Sequence, residues 1–183
     1  MPNTLRLTMA QALVRKLASY RVEVDGEQLP YVAGVWAIFG HGNVAAMGEA
    51  LYAQRKLLPT YRAHNGQAMA HAAIAFAKAM RRRRMMACTT SIGPGATNMV
   101  TAAALAHVNR LPVLLLPGDV FASRRPDPVL QQVEHFDSPS TTVNDAFKAV
   151  TRYWDRIVRP EQILQSLPQA IATMLDPADC GPA

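Results

Sequence analysis

Met85-Met86-Ala87-Cys88-Thr89-Thr90-Ser91-Ile92-Gly93-Pro94-Gly95-Ala96-Thr97-Asn98 is the stretch on which the fold turns. Met85 to Thr90 has the length and composition of a strand, Gly93 to Gly95 interrupts it, and Thr97 to Asn109 is an alanine-rich helical run. Strand, glycine loop and helix in that order make one step of an alternating α/β chain. Gly93 and Gly95 permit a tight path and the close approach of a ligand or another backbone. Thr97 is placed to cap the helix, whose free amides favour an electronegative group. The run has no Gly-Lys-Ser/Thr and does not match GxGxxG. A phosphate-binding loop and a plain turn that needs glycine both stay open.

Working outward, the same alternation repeats. Thr8 and Gln11 make a capping-box pattern ahead of Leu13, Val14 and Leu17, which predicts a first helix to about Tyr20. Arg21 to Pro30 is polar, with a turn at Asp25-Gly26. Val32 to Phe39 is a nearly unbroken apolar run that suits a strand covered on both faces. It ends at Gly40-His41-Gly42-Asn43, before a helix over 44–54. Leu57 to Tyr61 is a short strand candidate, and Asn65 can cap a helix with Met69, Ala72, Ala73, Phe76 and Ala77 inward. Val113 to Leu116 is a further strand, closing at Pro117-Gly118-Asp119. Phe121 to Thr142 is a long polar connection with a short helix expected over Val129–Val133, and an edge strand is expected near Val150, Tyr153 and Trp154. Pro160 suits the first turn of a last helix with Ile163, Leu164, Leu167, Ile171 and Leu175 inward, kinked at Pro168.

This pattern predicts a three-layer αβα fold with a mainly parallel central sheet, as a single domain over 1–183. Ligands bind such sheets beyond the carboxyl ends of the strands. The loops at Gly40, Ala63, Ser91 and Gly118 all follow strands and are expected along one edge.

Half the residues are hydrophobic and 17% are charged, and no apolar run nears the roughly 18 residues of a membrane span. Met1 to Tyr20 lacks the apolar core and cleavage site of a secretory leader. Cys88 and Cys180 form no disulfide framework, so a reducing cytoplasm is expected. The five histidines have no metal-ligand spacing. Net charge is +6, with Arg81 to Arg84 the densest block. Without interleaved aromatics, the block reads as the solvated end of a helix and not a nucleic-acid surface.

Gly93-Pro94-Gly95-Ala96-Thr97-Asn98, with Asn109-Arg110-Leu111-Pro112-Val113-Leu114-Leu115-Leu116-Pro117-Gly118-Asp119 downstream, resembles the N-terminal pyrimidine-binding domain of thiamine-diphosphate enzymes. The resemblance covers nearly the whole chain. At Phe39-Gly40-His41-Gly42-Asn43-Val44, Tyr61-Arg62-Ala63-His64-Asn65 and Asp127-Pro128-Val129-Leu130-Gln131-Gln132 it is similar to the trihydroxycyclohexane-dione hydrolases of inositol catabolism. It implies a thiamine-diphosphate-dependent C–C hydrolase that opens a cyclic 1,2-dione, with the cofactor supplying the carbanion chemistry. It also implies cofactor-side positions at Asn65, Gly93, Pro94, Gly95 and Asn98, a proton-handling or substrate-facing His41, and substrate-side Asn43, Gln131 and Gln132.

Two departures from the family pattern stand out. The family's activating glutamate falls where this chain has Gly66, which carries no carboxylate. The family's diphosphate and magnesium are held by another domain, through a Gly-Asp-Gly segment and paired asparagines that have no match here. The chain alone is therefore expected to bind neither tightly. Its expected partners are a second copy of the chain or the diphosphate-binding domain of a partner subunit, together with a small-molecule substrate. Two rival readings remain: a non-catalytic α/β scaffold derived from such an enzyme, and an unrelated nucleotide-binding α/β domain.

Overall fold

The computed structural model describes residues 4–122, 129–135 and 141–183. Its first helix forms for the reason the sequence gives. The Gln11 N–H donates to Thr8 Oγ1 at 3.2 Å and the Thr8 N–H donates to Gln11 Oε1 at 3.0 Å, so both ends of a capping box close over α1 (Met9–Ser19). Arg21 to Pro30 is not a plain polar turn. It is a hairpin of β1 (Arg21–Val24) and β2 (Glu27–Pro30), turning on Asp25 and Gly26 at φ of 53° and 86°, as two-residue hairpins favour.

The central sheet then builds by crossovers. β3 (Val32–Ala37) leads through a π-helical turn (Val44–Gly48) into α2 (Glu49–Gln54), and β4 (Thr60–Arg62) into α3 (Gly66–Ala79). β5 (Met85–Thr90) leads through the short α4 (Pro94–Thr97) to α5 (Val100–Asn109) and β6 (Leu114–Pro117). The strand order is β4-β3-β5-β6, parallel throughout. Two 3₁₀ turns (Val143–Ala149 and Pro160–Gln162) precede α6 (Ile163–Leu175).

Period-two alternation along the strands feeds two cores. Val32, Val35, Met85, Ala87 and Leu114 pack on one side with α1 and α6 residues such as Leu13, Leu17, Leu167 and Ile171. Met86, Cys88 and Leu115 pack on the other with the alanines of α3 and α5. Helices thus cover both faces, and the fold is the expected three-layer α/β arrangement.

Several elements differ from expectation, each for a physical reason. Val129 to Val133 forms a turn, with the Gln132 N–H donating to Val129 O at 3.1 Å. Asp127 and Pro128 of the same motif lie outside the described residues. No strand forms at Tyr153–Trp154; the C-terminal residues, not these, lie beside β6, where the Leu115 N–H donates to Ala183 O at 2.7 Å. Ala70 and Ile74 are buried in α3 while Ala72 and Phe76 are only half-buried. In α6 the buried face is Ser166, Leu167, Ala170, Ile171 and Met174, whereas Leu164 is 77% exposed. The helix continues through Pro168. Arg81 and Arg82 lie just past α3 at φ of 52° and 64°, so they form a left-handed turn and not the helix's last turn. Arg83 pairs with Asp25 of the hairpin at 2.8 Å.

Both thiols are sealed in. Burial pushes Cys88 up to about 12. Cys180 is also raised, by burial first, with Asp176 and Asp179 adding and Arg82 opposing. A thiol held protonated and inaccessible does not attack a disulfide reagent. The expected titration with such a reagent is no fast-reacting thiol in the native chain and both cysteines after unfolding.

Candidate functional site

The four loops that follow the parallel strands meet at the carboxyl edge of the sheet. Asn43 organises the first. Its Oδ1 accepts the Gly40 N–H at 2.9 Å, and its Nδ2 donates to Ile38 O and to Thr89 Oγ1, each at 3.3 Å. Thr89 Oγ1 in turn donates to Leu116 O at 2.8 Å. One side-chain relay therefore ties the ends of β3, β5 and β6 together. Asn43 is buried and fully engaged, which makes it a positioning group. His41 is exposed two residues before it.

Ser91 joins the next contacts. Its Oγ accepts the Gly42 N–H at 3.3 Å and donates to Gln131 Oε1 at 3.2 Å. The sequence carries one signal for Ser91, a hydroxyl placed directly after a strand, where loop amides converge. Gly93 has φ of 61° and ψ of −124°, and the Gln131 backbone packs against its Cα. The glycine is thus required by the turn and by the close approach of another backbone. Gln132 lies outside this group: its Oε1 accepts the Val129 N–H at 3.2 Å and its Nε2 donates to Glu134 O at 3.1 Å. Thr97 does not cap α5. Its hydroxyl donates to Pro94 O at 3.3 Å, and α5 starts at Val100 with no side-chain cap.

Asn65 caps α3, its Oδ1 accepting the Ala68 N–H at 3.0 Å. Gly66 follows, buried, as the first residue of that helix. A Cβ at Gly66 would stand 3.4 Å from both Asn98 Cβ and Nδ2 and 3.6 Å from Gly95 O. These are ordinary contacts or only slightly tight, so the position faces the Gly93–Asn98 loop and has room for a side chain. The first turn of α3 carries no acidic residue.

Asp119 closes the edge. Its Oδ2 accepts from Thr142 Oγ1 at 3.1 Å and from Arg156 Nε at 3.2 Å. Arg156 also pairs with Asp145 at 3.0 Å, and Lys148 reaches Asp145 at 2.7 Å. Burial pushes the Asp145 carboxyl up, but hydrogen bonds from Lys148, the Thr142 amide and Arg156, with the Arg156 charge, hold it net below its ordinary range. This stabilisation is full above the ordinary value of 3.8 and disappears as the pH falls through the lower folded value. Asp145→Asn is expected to be less stable than the parent at neutral pH, with the gap closing under acid, measured as urea midpoints at both pH values. Among the described residues, no three His, Cys, Asp or Glu side chains gather to hold a metal.

The sequence of this edge matches a known family model. Residues 31–139 match the model for the thiamine pyrophosphate enzyme, N-terminal TPP binding domain. The chain belongs to that family. Among its relatives, the 3D-(3,5/4)-trihydroxycyclohexane-1,2-dione hydrolase of Geobacillus thermodenitrificans is 55% identical over 179 residues, 98% of this chain and 28% of the relative. Enzymes of the same name are 54% identical over 180 residues in Listeria monocytogenes serotype 4b and 53% over 178 in Bacillus cereus. The chain spans 28% of the length of each of these relatives. Thiamine pyrophosphate is the cofactor of the family. The residues at this edge suit a role in surrounding it but not in activating it. The start of α3 bears no carboxylate, and Asp119, at the same edge, is held by Arg156 and Thr142.

Among the described residues, no helix is long and apolar enough to cross a membrane.

Proposed function

We propose that this chain forms the pyrimidine-side half of a thiamine-diphosphate site in a C–C hydrolase that opens a cyclic 1,2-dione. The observation that carries the reading is the convergence of Gly66, Gly95 and Asn98 at the carboxyl edge of the parallel sheet. Identity of 55% to a trihydroxycyclohexanedione hydrolase across 98% of the chain supports the substrate class. In this reading the Gly93–Gly95 backbone, Asn65 and Asn98 surround the pyrimidine end. His41 and Gln131 face the substrate. Asn43 and Ser91 hold the loops in place, and Gln132 serves the turn it sits in. Diphosphate and magnesium would be held by another domain, supplied by the same polypeptide or by a partner subunit.

Calorimetry with thiamine diphosphate and magnesium tests the half-site. The chain alone is expected to give no saturable binding tighter than about 1 mM. Micromolar binding would mean that this domain holds the diphosphate itself, and would overturn the assignment.

A second reading has its own support. The unacidic start of α3 and the internally engaged Asn43 and Asp119 also suit a non-catalytic domain that keeps the fold without the chemistry. The Gly66→Glu experiment described below separates the two.

A further inference from the structure

The strand order β4-β3-β5-β6 puts a switch point between β3 and β5, because the chain leaves β3 toward β4 on one side and β5 toward β6 on the other. Helix α2 packs on one face of the sheet and α5 on the opposite face. Open α/β sheets bind ligands in the crevice beyond the carboxyl ends of two such strands. Two side chains meet there, Ser91 after β5 and Gln131 from the segment 129–135.

Ser91 is buried, and the β3 loop packs directly on it: a Cβ on Gly40 would stand 2.8 Å from both its Cβ and its Oγ. Its Oγ accepts the Gly42 N–H at 3.3 Å. A serine hydroxyl has one proton to give, and the acceptor in reach is Gln131 Oε1 at 3.2 Å. That bond fixes the polarity of the amide, with Oε1 toward Ser91 and Nε2 away from it. Gln131 is exposed, and among the described residues nothing accepts from its Nε2. Its backbone is fixed as well. Gln131 stands at φ of 67°, a region that glutamine rarely occupies, and its carbonyl packs against Gly93. Residues held in such conformations cluster at functional sites.

We propose that Ser91 is a positioning residue that presents the Nε2 of Gln131, and not its carbonyl, to the substrate. Nε2 donates a hydrogen bond to a carbonyl oxygen of the dione, on which negative charge develops during ring opening. This assignment rests on the reading in which the chain serves a dione hydrolase. A donor aimed at developing charge acts mainly in the transition state, so it governs kcat more than KM. An acceptor in the same place would bind a substrate hydroxyl instead.

Gln131→Glu separates the two, since it exchanges the outward nitrogen for an oxygen and keeps an oxygen for Ser91. Its urea midpoint is expected to stay at that of the parent. Turnover of a trihydroxycyclohexane-1,2-dione is measured on the chain carrying Gly66→Glu, completed by the diphosphate-binding remainder of a relative. There Gln131→Glu should lower kcat about a hundredfold with little change in KM. Ser91→Ala should lower kcat about tenfold, and should cost nothing further once Gln131→Glu is present. Undiminished kcat in Gln131→Glu would mean that this end accepts from the substrate, and would overturn the proposal. Additive losses would do the same, because they mark a Ser91 that only supports the fold. In the 183-residue chain by itself, both Nε2 protons of Gln131 should exchange with water as freely as in a peptide. One of them slowed about tenfold or more would show Nε2 turned to Ser91, which equally overturns the assignment. C2-proton exchange needs no substrate and tests the underlying reading separately. If Gly66→Glu does not restore it, the half-site falls and this assignment with it; if it is restored and the kcat losses fail to appear, only this assignment falls.

Discussion

Gly66→Glu is expected to raise the rate of C2-proton exchange of thiamine diphosphate by about a hundredfold or more when the diphosphate-binding remainder of a relative is supplied. A side chain leaving Gly66 starts at ordinary distance from Asn98 and Gly95, so the change asks for no backbone movement. An acid in the first turn of α3 lies at the positive end of the helix dipole, an interaction that contributes a few tenths of a kcal/mol to about 1 kcal/mol where it is solvated. Desolvation of a carboxylate at this buried position offsets that gain, so the variant is expected to fold about as well as the parent. A general acid–base group placed in reach of its proton contributes about 10²–10⁴ in rate, and the parent has none at this position. The remainder of the Geobacillus thermodenitrificans hydrolase, first shown to recover exchange with its own N-terminal part, provides the complement. Gly66→Gln has nearly the same shape without the acid and should stay at the parent rate. Exchange by Gly66→Glu no faster than by Gly66→Gln would remove the half-site reading and leave the scaffold.

Gly93→Ala is expected to destabilise the fold by about 3 kcal/mol or more, while Gly95→Ala in the same motif costs less than about 1 kcal/mol. The two glycines are one residue apart and differ in what surrounds them. Gly93 sits at positive φ, and a Cβ there would drive into the backbone of Gln131. Relief requires moving the segment 129–135 away from Ser91 and breaking its bond to Gln131. A Cβ on Gly95 would lie 3.7 Å from Ser91 Cβ and 3.8 Å from Thr90 Cβ, ordinary packing distances. Urea unfolding should show the midpoint of Gly93→Ala well below the parent, with the slope unchanged. Equal losses at the two positions would mean that the loop's glycines serve something other than this backbone approach.

The parts of this molecule that were legible in its sequence are those whose signals are local. Thr8 and Gln11 announce α1 because both partners of the capping box lie within one turn. The apolar runs at 32–37 and 85–90 read as strands because both faces of the sheet are covered. Placing the Gly40, Ala63, Ser91 and Gly118 loops on one edge needed only the rule that parallel strands end together. Other features depend on partners distant in sequence. The hairpin at 21–30 is half solvated, so its apolar alternation is weak, and only Asp25-Gly26 hinted at it. Thr97 looked like a cap because the sequence does not reveal that α4 and α5 are separate. The buried face of α6 rotated from Leu164 and Leu175 toward Ala170 and Met174 because α1 and the sheet fix which side is covered. Near the sheet edge, strand-end loops such as Gly40–Asn43 are marked locally by glycines after apolar runs, whereas the meeting of Ser91 with Gln131 spans forty residues and has no local mark.

The alanines between α3 and α5 carry a mechanical consequence. Ala70 and Ala73 of α3 share one core with Ala102, Ala103 and Ala106 of α5, all five wholly buried, so the two helices pack closely with little side chain between them. Gly66 at the head of one and Asn98 just ahead of the other are held at their spacing by this seam, much as the jaws of a pair of tongs are set by the thickness of the rivet. A single added methyl group deep in the seam would open the mouth far from where it was inserted. The tolerances of the edge are therefore set along the length of both helices, in residues that touch no ligand and carry no charge.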